Sequence, residues 1–277
     1  MEIFRKYKLL LPLLMCAAIT LCMGLYLLTP HGDRPAETET ETERETETNA
    51  PEEDFPLMPS LNFKTDLSAY EQYMTASGEE YLILVNKENP LASDYVPSDL
   101  TAVKDARKEI YLERTAAMAL EAMFIEMRAA GFTDVFVTSA YRSYAYQNSL
   151  FNTYINDEMR KDPTLTQAQA QEKVLRYSAY PGTSEHQTGL CVDLMVNSMT
   201  ELDESFADYD VYDWLYTNAW KFGFILRYPI HETGTTGYDF EPWHYRFVGR
   251  NAAHTIRNLG WCLEDYLGSR DDVQLAH

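Results

Sequence analysis

The sequence predicts an α+β fold class in which helices flank an antiparallel sheet, preceded by one N-terminal transmembrane helix and a disordered linker. Three observations support this prediction. Segments whose apolar residues recur at helical spacing alternate irregularly with short apolar strands. The sequence has neither the regular strand–helix–strand rhythm of a parallel sheet nor a glycine-rich phosphate loop. The hydrophobic fraction of 45% over 277 residues is ordinary for a globular chain and allows a sizeable core.

The first segment predicts a membrane anchor. Arg5, Lys6 and Lys8 lie in a cytoplasmic tail, residues 1–8, and residues 9–28 contain no charged side chain. A run of about twenty apolar residues is long enough to cross a bilayer as a helix, and the positive flank predicts a cytoplasmic N-terminus. A cleavable signal peptide is the alternative, although the bulky residues that end the run offer no small-residue cleavage site. In both cases the body is exported, and a retained anchor makes it a single-pass protein of the cell membrane.

The next segment, residues 29–56, predicts a disordered Thr/Glu-rich linker. Threonine and glutamate alternate from Glu37 onward, and no apolar residue can nucleate a core. Repulsion between like charges keeps such a spacer extended. The formal net charge of -20 excludes a nucleic-acid surface, because phosphate binding needs clustered Lys and Arg. The folded domain is predicted to take residues 57–277.

The first half of this domain contains two predicted strands and two helices. Residues 81–85 form a β-type apolar run and predict a strand. In residues 110–130 apolar side chains recur at helical spacing, and Gly131 is the expected C-cap. A strand over residues 134–138 and a polar-faced helix over residues 144–160 follow.

The second half begins where Pro163 interrupts the helical pattern. Residues 166–177 predict another helix, and the apolar run 190–196 predicts a strand. An aromatic, amphipathic helix over residues 211–222 ends at Gly223. The remaining elements are two short strands and one closing helix, at residues 224–226, 245–248 and 251–267.

The segment 184–193 carries a candidate metal site. His186 and Asp193 are separated by six residues around Gly189, which can adopt a positive φ. Alternation along the predicted strand puts Cys191 and Asp193 on one face. A carboxylate inside an apolar strand is costly unless it is paired or bound to a metal. Imidazole nitrogen and carboxylate oxygen together suit zinc.

A catalytic zinc site needs about three protein ligands and one open position. His244 is the candidate third ligand, because it follows the carboxylate Glu241 by three residues at the entry to a strand. Glu241 is then the candidate general base. No site role is expected for the other four histidines, His31, His231, His254 and His277. Of these, His254 is expected on the surface of the closing helix.

Arg142 is the candidate for anchoring a substrate. It lies just past a predicted strand end, between the hydroxyl residues Ser139 and Ser143. A guanidinium binds a carboxylate bidentately, and it can also polarise a carbonyl. Alone, an arginine in such a loop is a weak signal.

Several motifs follow one another in a fixed order, at residues 81–87, 139–143, 147, 184–193, 214–215, 223–229 and 241–246. Together they resemble the D-alanyl-D-alanine carboxypeptidases of the vancomycin-resistance type, zinc peptidases with a fold related to the Hedgehog signalling domain. The resemblance covers residues 57–267 and implies a hydrolase without a serine-type mechanism: a zinc-dependent D,D-carboxypeptidase that removes the C-terminal D-alanine from peptidoglycan stem peptides by attack of a metal-activated water.

The resemblance also implies roles for individual residues. Zn(2+) would be bound by His186, Asp193 and His244, with Glu241 as the catalytic base. Arg142 would contact the substrate and stabilise the developing oxyanion. Five further residues would line the substrate site: Ser184, Gln147, Ser143, Tyr141 and Trp243.

Two positions depart from the family pattern. Cys191 stands where alanine is usual, and Ala140 stands where glycine is common. Cys191 either lies near the metal or packs beneath it as a small buried thiol. A disulfide with Cys262 is open in an exported protein. The cysteines form no CxxC pair, so a cysteine-based zinc site is not expected.

The alternatives concern the reaction. An L,D-carboxypeptidase that trims stem tetrapeptides would share every motif above. A free D-Ala-D-Ala dipeptidase would need an acidic group for the amine of the dipeptide, and the sequence offers no candidate. A non-catalytic zinc-bearing module that binds the cell wall is the alternative outside the enzymes.

Overall fold

The computed structural model describes residues 58–275, and the side chains of residues 58–270. The predicted tail, anchor and linker, residues 1–8, 9–28 and 29–56, lie outside the described residues. Between residues 58 and 275, none of the helices combines the length and apolar composition that a membrane span requires.

A four-stranded antiparallel sheet carries the site, and a two-stranded hairpin forms a second sheet. The strands are β1 (Leu100–Ala102), β2 (Tyr111–Glu113), β3 (Val135–Ser139), β4 (Cys191–Val196), β5 (Phe224–Leu226) and β6 (His244–Phe247). The sheet has the order β3-β4-β6-β5, and every neighbouring pair is antiparallel. The predicted α+β class with an antiparallel sheet is therefore confirmed for the described residues.

Eight α-helices are found in the described part of the chain. They are α1 (Glu71–Met74), α2 (Arg114–Ala129), α3 (Tyr144–Lys161), α4 (Gln167–Val174), α5 (Asp210–Asn218), α6 (Thr233–Thr236), α7 (Arg250–Leu259) and α8 (Leu263–Leu275). Two short 3-10 helices, Glu185–Thr188 and Ala219–Phe222, also matter for the site and the core.

Helix α2 and one face of the sheet form the main hydrophobic core. The Glu113 carboxylate caps α2 by accepting a hydrogen bond from the Ala116 amide at 3.0 Å. Helical spacing then buries the face of α2 that holds Leu120, Met123 and Met127. The facing side chains come from alternate positions of β4 and β6: Val192, Leu194, Tyr245 and Phe247. Period-two alternation therefore turns Cys191, Asp193, His244 and Arg246 to the opposite face.

Two predicted elements are wrong. Residues 81–85 are not a strand; the backbone carbonyls of Tyr81 and Ile83 accept hydrogen bonds from the Arg246 guanidinium at 3.0 and 2.9 Å instead of pairing with another strand. The closing segment 251–267 is not one helix, because α7 ends at Gly260, which adopts φ 66°, and α8 starts afresh at Leu263.

Two further features differ from the prediction. The β1–β2 hairpin was not predicted, because strands of three residues carry almost no periodic signal. His254 is not a surface residue: it is 3% exposed, and its ring lies 4.8 Å from that of Trp220. The Asn258 amide contacts its Nε2 at 2.7 Å. The surface prediction for His254 was wrong because α7, although its sequence is polar around this residue, packs against Trp220 here.

Candidate active site

The antiparallel register of β4 and β6 brings the central pair of site residues together. Asp193 and His244 are directly opposed partners on the two strands. His186 arrives on the 3-10 helix Glu185–Thr188, which ends at Gly189 with φ 68°. A side chain at Gly189 would lie 3.2 Å from the Glu113 amide nitrogen, so glycine suits both the turn and the packing.

The three predicted metal ligands converge with their donor atoms facing one another. His186 Nε2 lies 3.2 Å from Asp193 Oδ2, and His244 Nδ1 lies 3.0 Å from Asp193 Oδ1. The two imidazole rings are nearly perpendicular, with centroids 5.1 Å apart. All three side chains are buried.

The outer nitrogens of both histidines have partners that orient the rings. His186 Nδ1 donates to the Ala140 carbonyl at 2.6 Å, and His244 Nε2 faces Glu185 Oε2 at 3.4 Å. Metal-binding histidines characteristically use one nitrogen for a carbonyl or carboxylate in this way. Both inner nitrogens, His186 Nε2 and His244 Nδ1, are therefore directed at Asp193.

The donor set fits a zinc ion. Burial alone would lower the pKa of His186, and Arg142 adds to this, but the Asp193 carboxylate raises the pKa to about 9. Burial alone would raise the pKa of Asp193, but the two imidazoles hold it well below its usual range. The pocket thus favours positive charge between two nitrogens and a carboxylate, which is the charge and donor chemistry of a zinc site.

Glu241 lies beside this cluster. Its Oε2 is 3.6 Å from His244 Nδ1, and its side chain is 20% exposed, more than those of the three ligands. Burial raises the pKa of Glu241 to about 7, and the Asp193 charge contributes in the same direction against the opposing effect of His244. A carboxylate of this kind can accept and return a proton near neutral pH.

Arg142 is held at the same cavity by Gln147. Arg142 Nη1 donates to Gln147 Oε1 at 2.9 Å, while Gln147 Nε2 donates to the Ala179 carbonyl at 2.7 Å. The Arg142 amide also donates to the His186 carbonyl at 3.0 Å. Arg142 Nε is buried and has no hydrogen-bond partner among the described residues, while the side chain as a whole is partly exposed at the cavity.

The predicted substrate residues divide into three groups. Ser184 and Trp243 line a cavity of about 460 Å³ together with the metal ligands, Glu241 and Arg142. Tyr141 and Ser143 line a second cavity of about 550 Å³, which shares Arg142 and Asp193 with the first. Ser143 also caps α3 by accepting from the Tyr146 amide at 3.2 Å. Gln147 lines neither cavity and acts on Arg142 instead.

These residues fall inside a segment with known relatives. Residues 109–250, half of the chain, match the sequence model of VanY, described as D-alanyl-D-alanine carboxypeptidase. The chain belongs to the VanY family. It is 36% identical to the D-alanyl-D-alanine carboxypeptidase of Enterococcus faecalis over 188 residues, which cover 68% of this chain and 66% of that relative. The chain thus spans about two thirds of the length of that protein.

Solved structures of the VanY type and of a second carboxypeptidase are similar as well. A variant of the vancomycin resistance D,D-pentapeptidase VanY in complex with Zn(II) shares 36% identity and a TM-score of 0.58, covering 68% of this chain and 99% of that one. The LD-carboxypeptidase LdcB shares 33% identity and a TM-score of 0.59, covering 72% of this chain and 95% of that one.

A buried ion network supports the site in this VanY-family chain, and sequence reasoning missed it. Glu185 Oε1 accepts from Arg227 Nε at 2.8 Å and from Arg246 Nη1 at 2.7 Å, and all three side chains are fully buried. Burial alone would raise the pKa of Glu185, but the two guanidinium groups lower it far below its usual range. Arg227 also pairs with Glu264 at 2.6 Å. A charged residue inside a predicted strand, as at Arg246, was the available signal.

Cys191 lies within the donor cluster. One nitrogen of His186, one nitrogen of His244 and the Cys191 sulfur all lie within 4.8 Å of one another. Both Cys191 and Cys262 are free and buried, so the two form no disulfide. Burial would raise the pKa of the Cys191 thiol, but the two imidazoles lower it to about 7.

Proposed function

We propose that this chain is a zinc-dependent D,D-carboxypeptidase that removes the C-terminal D-alanine from peptidoglycan stem peptides. One observation carries the proposal: the donors of His186, Asp193 and His244 converge on the wall of a cavity that also holds Glu241 and Arg142. Membership of the VanY family and the Zn(II) complex of a relative at 36% identity support it.

His186, Asp193 and His244 would hold the zinc ion. Zinc in such a site polarises a carbonyl and makes water a competent nucleophile near neutral pH. Glu241 takes the proton of the attacking water and later returns a proton to the leaving amine. Burial raises the pKa of Glu241, and the charge of a bound zinc ion would act in the opposite direction, which favours the ionised carboxylate that accepts the proton.

Arg142 contributes charge and donors to the substrate. Its partly exposed side chain and its position between the two cavities allow it to bind the substrate carboxylate or the oxyanion that forms at the scissile carbonyl. Gln147 fixes the guanidinium by accepting from Nη1. A positioned donor of this kind stabilises the transition state more than the ground state, which is the condition for a faster reaction.

An L,D-carboxypeptidase acting on stem tetrapeptides is the second candidate. The similarity to the LD-carboxypeptidase LdcB, with a TM-score of 0.59 at 33% identity, favours it. A non-catalytic wall-binding module is less well supported, because such a module has no need for Glu241 and Arg142 beside the three ligands.

We also propose that residues 9–28 anchor the protein in the cell membrane with the catalytic domain outside the cytoplasm. The support is the uncharged run after Arg5, Lys6 and Lys8 in the sequence. Recovery of the chain in the membrane fraction, and its release by protease added to cells with an intact membrane, is the expected result. A chain confined to the cytosol would contradict it.

The decisive experiment digests a stem pentapeptide and a stem tetrapeptide side by side and identifies the products by mass spectrometry. We expect release of D-alanine from the pentapeptide, loss of activity with a chelator, and recovery with zinc. Glu241→Ala should be inactive, whereas Glu201→Gln at an exposed carboxylate should match the wild type. Cleavage of the tetrapeptide alone would establish the second candidate. Activity that survives full removal of metal would overturn the mechanism.

A further inference from the structure

The Cys191 thiol is a buried nucleophile that the proposed mechanism does not use. It lies on the site face of β4, two residues before Asp193 and directly opposite Arg246 of β6. Its side chain has no exposed surface. Its sulfur lies close to one ring nitrogen of His186 and one of His244, the donor atoms of the predicted metal ligands.

The distances allow one ion to contact all of these donors. Zinc binds nitrogen or oxygen at about 2.0–2.2 Å and sulfur at about 2.3 Å, so tetrahedral neighbours lie roughly 3.3–3.6 Å apart. The Asp193 oxygens lie slightly closer than this to the imidazole nitrogens, at 3.0 and 3.2 Å. The sulfur and both nitrogens lie within 4.8 Å of one another, so binding one ion requires these donors to move closer by up to about 1.2 Å.

The direction of approach is compatible with catalysis. His186, Asp193, His244 and Glu241 line the cavity of about 460 Å³, whereas Cys191 is absent from its lining. The thiol therefore approaches the cluster from the interior of the protein. With four protein donors a catalytic site needs a fifth coordination position, and a ligand on the interior side leaves that position facing the cavity.

We propose that Cys191 is a further protein ligand of the metal, giving a site of two imidazoles, one carboxylate and one thiolate. This inference rests on the proposed function, because it takes His186, Asp193 and His244 as ligands. A thiolate favours zinc, cobalt and cadmium over magnesium, manganese and calcium. It also adds negative charge beside the cation, which tightens binding. The site is thus more selective for soft metals than one in which alanine occupies this position.

Spectroscopy of the metal-loaded full-length chain tests the proposal directly. Cobalt(II) is loaded into the wild type, Cys191→Ala, Cys191→Ser and the control Cys262→Ala, which removes the other free buried thiol. We expect a near-ultraviolet thiolate-to-cobalt charge-transfer band in the wild type and in Cys262→Ala, and no band in either Cys191 variant. X-ray absorption of the zinc form should show sulfur at about 2.3 Å only when Cys191 is present.

A competition titration with a chelator supplies the second readout. Loss of Cys191 should weaken zinc binding at least tenfold. Replacing a residue that only hydrogen-bonds to a metal ligand already lowers metal affinity by about tenfold or more. The serine variant keeps the size of the side chain, so the comparison holds if alanine disturbs folding. Cys16 and Cys22 are present in every form, and differences between variants therefore isolate Cys191.

The possible failures are distinguishable. Stoichiometric metal binding with no charge-transfer band in the wild type, or with the same band in the Cys191 variants, overturns this inference and leaves the proposed function intact. Failure of every form to bind metal, together with metal-independent cleavage of the pentapeptide, overturns both.

Discussion

Replacing Glu185 by glutamine removes the charge of a carboxylate that is fully buried between Arg227 and Arg246. Arg227 retains Glu264 as a partner, whereas the remaining acceptors of Arg246 are the backbone carbonyls of Tyr81, Ile83 and Phe247. The buried Arg246 guanidinium is then left without a carboxylate partner. The same change removes the anionic partner of His244 Nε2.

The magnitude follows from burial. Breaking a buried ion pair by removing one partner costs about 3–5 kcal/mol. Glutamine still offers one carbonyl oxygen, so we expect a loss near the lower limit, about 3 kcal/mol. For a domain of this size that corresponds to a melting temperature lower by roughly 6–12 °C. Because His244 loses an orienting partner, zinc affinity should fall by about 10- to 100-fold.

The assay compares urea unfolding and zinc competition in the wild type, Glu185→Gln and Asp157→Asn. Asp157 forms an exposed pair with Arg160 on α3, so the control makes the same chemical change at a surface ion pair. Its expected effect is within about 0.5 kcal/mol. The reasoning is refuted if Glu185→Gln unfolds at the same urea concentration as Asp157→Asn and binds zinc equally well.

Three further predictions concern catalysis and the helical pair α3–α4. Glu241→Gln should lower kcat by about 10²- to 10⁴-fold with unchanged zinc content, because glutamine cannot take a proton. Steady-state rates together with metal analysis measure this, and near-normal turnover would contradict it. Arg142→Ala should lower kcat by about 10²- to 10³-fold on the pentapeptide, and an unaffected rate would exclude contact with the reacting group. Lys173 and then Lys161 lower the pKa of Glu158 from 4.5 to about 2, so its stabilising contribution is complete above pH 4.5 and is lost as the pH falls towards 2. The gap in melting temperature between the wild type and Glu158→Gln should narrow over that range; a constant gap would count against the assignment.

The long periodic elements of the described region were predictable, and the short ones were not. Helix α2 extends over Arg114–Ala129 within the predicted range 110–130, because sixteen residues repeat their apolar positions several times. Strand β4 has only six residues and was predictable instead from the apolar run 190–196. The run 81–85 has β-type composition, yet its carbonyls bind a side chain from β6, a long-range contact that local pattern does not encode.

At the site, charged residues in otherwise apolar segments are the sequence signal for buried polar contacts. Asp193 and Arg246 are charged residues inside apolar strands, and both are buried with partners in the structure. Local pattern marks Asp193 as a candidate ligand, because it is a carboxylate in an apolar run and follows a histidine at metal-site spacing. Glu185 looked like an ordinary polar neighbour of His186, and nothing local marked it as the partner of two arginines.

The sequence by itself determined the type of fold, the common face of Cys191 and Asp193 on β4, and the residues able to bind a metal. Alternation and helical spacing are local, so a linear pattern carries them. The tertiary structure decided that Asp193 stands opposite His244, that Glu185 joins Arg227 to Arg246, and that Cys191 enters the donor cluster. Strand register and close approach across the chain depend on how the core packs, and packing is a property of the whole domain.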